Sequence, residues 1–181
     1  MGAKIKATLL GGLAAGAGDI IYAFIVFGPL TYGLSPERVL KSVAAGWIGR
    51  EAARAGGWDI ALLGLATHFM LATIMALIFV LISGGLATLR RRPIAWGFVY
   101  GLILYVAMNY IVVPLSAAAT GAFASSIGDA TQRVQEAFSE VRGGGGEDYP
   151  WLIWGTIFTH TVLVAIPIAL INARLNPPQQ T

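Results

Sequence analysis

The chain has 181 residues, 56% of them hydrophobic and only 12% charged, with a mean hydropathy of +0.71. Soluble domains carry about 25% charged residues, so this composition excludes a disordered chain and argues for lipid as the solvent. A net charge of +3 with no basic stripe excludes a nucleic-acid footprint, and the absence of cysteine excludes disulfides, thiolate catalysis and Cys-ligated metals.

Four apolar stretches reach the roughly 20 residues that a helix needs to cross a bilayer. In chain order they lie near 7–32, 59–88, 94–117 and 151–173. Lys4 and Lys6 precede the first, and Ala15-Gly16-Ala17 resembles a signal-peptidase site. The apolar run nevertheless continues past Asp19 to Leu30, which predicts an uncleaved spanning helix. After it, Ser35-Pro36-Glu37 reads as an N-cap, a first-position proline and a first-turn acid. Val39, Leu40, Val43, Trp47 and Ile48 then fall on one side of a helix over ~36–54, which Gly56-Gly57 ends.

Between the second and third stretches stands Arg90-Arg91-Arg92-Pro93, a basic turn of the cytoplasmic kind. Beyond the third, Ser126 and Asp129 resemble a capping box. Ile127, Ala130, Val134, Ala137, Phe138 and Val141 follow at helical spacing over ~126–142, until the run Gly143 to Gly146. Both intervening helices are expected to lie amphipathically on the outer membrane face. The expected architecture is an all-α polytopic membrane protein: a single integral domain over 1–181, with four transmembrane helices as two pseudo-repeated hairpins and two interfacial helices.

Orientation follows from charge. Lys4, Lys6, Arg90, Arg91, Arg92 and Arg174 gather on one side without an acid, whereas the other side holds six basic residues against eight acids. The clean basic side is expected to be cytoplasmic, with both termini inside. Trp58, Tyr149 and Trp151 would then mark the outer interface and Trp96 the inner one.

A shift of 85 residues lays the first span over the third, pairing Gly12 with Gly97, Gly16 with Gly101, Pro29 with Pro114 and Leu30 with Leu115. Each half reads span, Pro-Leu exit, amphipathic helix, glycine run, then a span carrying Thr-His, at Thr67-His68 and Thr159-His160. Such an order describes a parallel repeat about the membrane normal. Gly12-xxx-Gly16 and Gly97-xxx-Gly101 are small-residue pairs that let helix backbones approach closely, either within the bundle or between copies of the chain.

Asp19 lies mid-span, where a carboxylate costs at least ~2.5–3.5 kcal/mol. It stands ten residues before Pro29, as His68 stands ten after Trp58 and His160 ten after Pro150. At 1.5 Å per residue all three sit about 15 Å below the outer surface. Asp19, His68 and His160 therefore form a candidate buried polar cluster, with Asn109 nearer the outer surface and bonding across helices. The cluster reads either as a structural lock or as a functional site. Pro167 frees the Leu163 carbonyl and predicts a kink in the last span. No phosphate loop, nucleophile–base pair or HExxH occurs, so no catalytic residue and no metal site is expected.

The stretches Gly64-Leu65-Ala66-Thr67-His68-Phe69, Arg91-Arg92-Pro93, Gly97-Phe98-Val99-Tyr100-Gly101 and Val113-Pro114-Leu115-Ser116-Ala117 resemble the small four-helix inner-membrane proteins of bacteria described as YagU-like or as domains of unknown function. The resemblance covers roughly residues 10–117 and a final span; it implies a fold and an inner-membrane location but no activity. The acidic loop 118–150 extends that pattern. Three functions remain compatible with the sequence. One is a non-enzymatic packing protein, as a homo-oligomer or as an accessory subunit among other membrane chains. Another is a proton- or cation-coupled transporter using Asp19 with His68 or His160. The third is a b-type haem protein clamped by the two histidines, although no cofactor is required by any motif.

Overall fold

In a computed structural model the described residues are 2–144 and 146–178. Gly145, in the glycine run expected to end the second surface helix, lies outside them, as do positions 1 and 179–181 of the expected domain. The described residues form helices and no β-strand. In chain order these are α1 (Ala3–Ile25), α2 (Pro36–Ile48), α3 (Arg50–Ala55), α4 (Trp58–Gly85), α5 (Ala87–Arg91) and α6 (Pro93–Ala107). The short α7 (Val113–Leu115) and α8 (Ala117–Thr120) follow, then α9 (Ile127–Phe138), α10 (Leu152–Phe158) and α11 (Ile166–Leu175).

Four continuous helical stretches are long and apolar enough to cross a membrane: Ala3–Leu30, Trp58–Gly85, Pro93–Leu115 and Leu152–Leu175. Their ends differ from expectation by a few residues. The second stops at Gly85 because Leu86 leaves helical geometry, at φ −119° and ψ 86°, before α5 begins.

Three of the four stretches carry a proline beyond their first turn: the first kinks at Gly28 (φ −83°, ψ −109°), just before Pro29, and the other two widen into π-helical segments, Met108–Val112 before Pro114 and Thr159–Ala165 before Pro167. Proline lacks an amide N–H and its ring collides with the carbonyl four residues back; a wider turn relieves the collision. The second stretch has no proline and runs as one regular α-helix of 28 residues. The kink expected at Pro167 is thus spread over a widened segment that contains Leu163. A Cβ on Gly18 of α1 would stand 3.2 Å from the Leu163 carbonyl oxygen, so the absence of a side chain there lets α1 approach that carbonyl.

The residues fall into two compact units. The first comprises Met1–Tyr22, His68–Tyr105 and Ile157–Thr181. Its core is built from small and aromatic side chains on α1, α4, α6 and α11, among them Ala15, Ala76, Phe79, Tyr100, Ala165 and Ile168. Leu89 of α5 belongs to the same core and pins the basic turn to the bundle.

The second unit comprises Ala23–Thr67 and Val106–Thr156. Here the helix expected over 36–54 is broken at Gly49, whose φ of +82° is the left-handed region that favours glycine. A Cβ on Gly49 would stand 3.1 Å from Gly121 Cα, so close backbone packing also calls for glycine. Ser35 caps α2 by accepting from the Arg38 amide at 3.3 Å. The buried side of α2 is Val39, Leu40, Lys41, Ala44 and Ala45, whereas Trp47 and Ile48 of the expected stripe are exposed. Trp47 still donates its indole N–H to Thr67 Oγ1 at 2.8 Å. The backbone of α2 reaches α4 at Gly64, where a Cβ would collide with the Leu40 carbonyl.

The second surface helix is shorter than expected, ending at Phe138. Ser126 Oγ accepts from the Asp129 amide at 3.1 Å, while Asp129 reaches back to the Ser125 amide at 2.8 Å, one residue before the cap. Of its expected apolar stripe, Ala137 is buried but Ile127 and Phe138 are exposed, as is Val141 beyond its end.

Candidate functional site

The first unit brings two of the expected polar residues together. Gly16 lets α1 and α4 close on each other: a Cβ there would fall 2.7 Å from Phe69 Cδ1. The same closeness brings the His68 ring to the α1 backbone, with Nε2 2.8 Å from the Gly16 carbonyl oxygen. A carbonyl only accepts, so Nε2 carries a proton and donates it. The other ring nitrogen, Nδ1, faces Asp19 Oδ2 at 3.8 Å. The remaining carboxylate oxygen, Oδ1, accepts from the Thr159 hydroxyl at 2.7 Å. The His68 side chain is only 10% exposed and that of Asp19 32%, so the acid is the accessible member.

This geometry leaves a place for one proton between the two side chains. With Nε2–H committed to Gly16, a neutral imidazole turns its Nδ1 lone pair toward the Asp19 carboxylate, and two electron-rich atoms face each other at 3.8 Å. One added proton makes the contact attractive. It can rest on Nδ1, giving an imidazolium–carboxylate pair, or on Oδ2, giving a neutral acid beside a neutral ring. Both forms have the same total charge and differ only in where the proton lies.

The other two expected members stand on other segments of the chain. His160 follows Thr159 in the widened segment, and its ring packs edge-on against Tyr105, with centroids 6.1 Å apart and planes at 82°. The fourth span therefore offers Asp19 a hydroxyl, where a histidine was one of the expected partners. Asn109 lies half-buried in the Met108–Val112 segment, in the other unit from Asp19 and His68. The sequence allowed Asp19 a threonine hydroxyl as a locking partner without singling out Thr159, which stood in view as half of a repeated Thr-His pair; the Gly16 carbonyl was missed.

Axial ligation of a b-type haem would need a free ring nitrogen from each histidine; here His68 Nε2 is bonded to Gly16 and its Nδ1 faces a carboxylate. Among the described residues no group of three His, Cys, Asp or Glu side chains is disposed to hold a metal ion.

The four expected packing glycines all work inside the first unit. A Cβ on Gly12 would meet Thr73, and one on Gly16 would meet Phe69. A Cβ on Gly97 would meet Ile166 and Ala165, and one on Gly101 would meet Thr161 and the His160 carbonyl. Each pair thus packs on the span that follows it. Phe69 and Thr161, like Thr73 and Ala165, are separated by the same stretch of sequence as His68 and His160. Of the basic turn, Arg91 and Arg92 are exposed, while an Arg90 guanidinium nitrogen donates to the Ser83 carbonyl at the end of α4.

Fold and site together define an all-α polytopic membrane protein with a protonatable Asp–His–Thr constellation inside its helices. No protein-family model, no curated protein and no solved structure matches the chain.

Proposed function

We propose that this chain is a multi-pass protein of the bacterial inner membrane, related to the YagU-like proteins it resembles, with both termini in the cytoplasm. We further propose that it is a proton-coupled carrier of small cations, loading and releasing its proton at Asp19–His68. The observation that carries this reading is the Nε2 hydrogen bond to Gly16, which makes the facing Nδ1 and Asp19 oxygen a site for one proton. A mid-membrane ionisable pair is the usual mark of a proton relay or ion path. The accessible Asp19 carboxylate also supplies the negative charge for which a cation and a proton would compete.

The test is cation-dependent proton movement. In everted membrane vesicles energised to an acid interior, adding sodium or potassium should release protons through the wild-type chain. Asp19→Asn should abolish that release while inserting normally. Equal responses from the two chains would overturn the reading. Orientation is tested separately, because the chain has no cysteine of its own. A cysteine at Ser139 should react with an impermeant thiol reagent in intact cells, and one at Thr88 only after permeabilisation.

A second reading, an accessory subunit, draws on α9. Ile127 is 88% exposed and Val141, just past the helix, 77%, and Phe138, although stacked on Tyr110, keeps more than half of its surface exposed beside polar neighbours. An apolar side on a short helix that the chain itself leaves open suits a membrane surface or another subunit. A partner chain in fixed stoichiometry after purification, lost on Ile127→Ser with Phe138→Ser, would favour this reading. An unchanged single-chain mass in both proteins would dismiss it.

A further inference from the structure

At the basic end of the first unit lies a cavity of about 480 Å³. Its polar lining is Lys4 from α1, Ser83 from α4, Arg90 and Arg91 from α5, and Asn172 and Asn176 from the end of the last helix. Asn172 is fully buried. Its amide donates to Ser83 Oγ at 2.8 Å, and the Asn176 amide donates to Asn172 Oδ1 at 3.0 Å. A polar chain thus runs along the wall of an otherwise apolar bundle. Arg90 gives one guanidinium nitrogen to the Ser83 carbonyl, but its Nε is buried without a hydrogen-bond partner. A buried charged donor left unsatisfied is costly, and such groups commonly mark the place of a bound ion or water.

The simpler explanation for these cations is that they neutralise helix C-termini. α4 and the last helix both end here, and two helix ends carry about one negative charge between them. Lys4 and Arg90 set two full positive charges against that, and among the described residues no carboxylate side chain lines the cavity. The sole acid in the sequence of this unit, Asp19, is engaged by His68 and Thr159. The surplus is positive and furnished with hydroxyl and amide groups.

We infer that this cavity binds a phosphate-bearing anion, with Lys4 and Arg90 as its principal charge partners. Two sources share that chemistry: the headgroup of an acidic phospholipid and a soluble phosphate ester. Basic pockets between spanning helices on the cytoplasmic side suit acidic headgroups. The inference does not depend on the proton-coupled reading, because no residue of the Asp19 site lines the cavity.

The experiment uses the full chain in a neutral detergent. One arm titrates phosphatidylglycerol, with phosphatidylcholine as the zwitterionic control, and counts bound lipid by native mass spectrometry. The other measures thermal stabilisation by glycerol phosphate and by inorganic phosphate. One saturable site is expected, weakened about fivefold or more by Lys4→Gln and by Arg90→Gln. Lys6→Gln and Arg174→Gln, basic residues that do not line the cavity, should leave it unchanged. A residue-dependent response to phosphatidylglycerol identifies a lipid site, and one to glycerol phosphate or inorganic phosphate identifies a soluble-anion site; either supports the inference. No response in either arm overturns it, as does equal weakening by all four variants. If Arg90→Gln fails to fold, Lys4→Gln decides alone, because Lys4 is exposed near the chain terminus, and wild-type binding by that variant refutes the assignment.

Discussion

In the first unit, Gly12 and Gly16 of the first span lie against Thr73 and Phe69 of the second, and Gly97 and Gly101 of the third lie against Ala165–Ile166 and Thr161 of the fourth. The two pairs of spans use one packing device in one register. Their chemistry differs. Asp19 faces His68 in the first pair, whereas the position 85 residues on is Leu104, a core residue, and His160 turns to Tyr105. Packing that both halves share is needed to hold helices together in lipid, where close backbone contact replaces the hydrophobic drive. A carboxylate present in one half alone adds nothing to that device and carries an insertion cost, which is why the polar pair is the better candidate for function.

Substitution in the shared device should do comparable damage in both halves. Leucine at Gly101 would force its side chain into the Thr161 backbone and the His160 carbonyl, and leucine at Gly12 would strike Thr73. Overpacking of this kind costs about 1–3 kcal/mol and more where backbone cannot yield. Gly101→Leu and Gly12→Leu should both lower the unfolding temperature in detergent, with Gly101→Leu at the upper end. Gly128→Leu is the reference, since only Ser126 Oγ lies near its Cβ, at 3.9 Å, and it should unfold near the wild-type temperature. A large loss in one half with none in the other would break the equivalence.

The chemical difference is sharpened by moving the acid. Leu104→Asp places a carboxylate among core residues and should cost about 2.5–3.5 kcal/mol. Asp19→Asn keeps the shape and can still accept from Thr159, so its stability loss should be near the ~0.6 kcal/mol average of interhelical hydrogen bonds in membranes. Transport gives the contrasting readout. Cation-dependent proton release should be lost in Asp19→Asn and kept in His160→Phe. Loss of release in His160→Phe, with none in Asp19→Asn, would transfer the site to the other half.

The sequence made the common depth of Asp19 and His68 legible, because helical rise per residue is nearly constant. The bearing of a side chain around the axis was less legible. Thr159 and His160 are neighbours, and which of them faces Asp19 depends on the phase of a segment widened ahead of Pro167. A regular 3.6-residue period does not carry across such a segment. The spans themselves were readable from apolar length, and their small errors fall where Leu86 or a proline changes the backbone. The two surface helices looked alike by periodicity. They differ because α2 meets α4 backbone to backbone at Gly64, a contact between residues distant in sequence, whereas α9 keeps Ile127 and Phe138 exposed. Periodicity shows that a helix has an apolar side but not what covers it.

Asp129 provides a small and separate contrast with Asp19, an exposed acid at a helix start. The Arg133 side chain, bonded through Nε at 2.6 Å and a second nitrogen at 3.0 Å, holds the Asp129 carboxyl below its ordinary range, helped by the Ser125 amide. A carboxyl whose folded value is depressed contributes its stabilisation above the ordinary carboxylate range and loses it as pH falls through the folded value. Acidification below that range should therefore loosen the start of α9 first, seen as lower protection of the Asp129 and Ala130 amides relative to their intrinsic exchange at the same pH. Asp129→Asn should show the looser start at neutral pH and lose most of its acid dependence. Because the pair is solvent-exposed, the change should stay local and leave the global unfolding temperature almost untouched. Unaltered exchange at these amides in Asp129→Asn would show that Ser126 alone caps the helix.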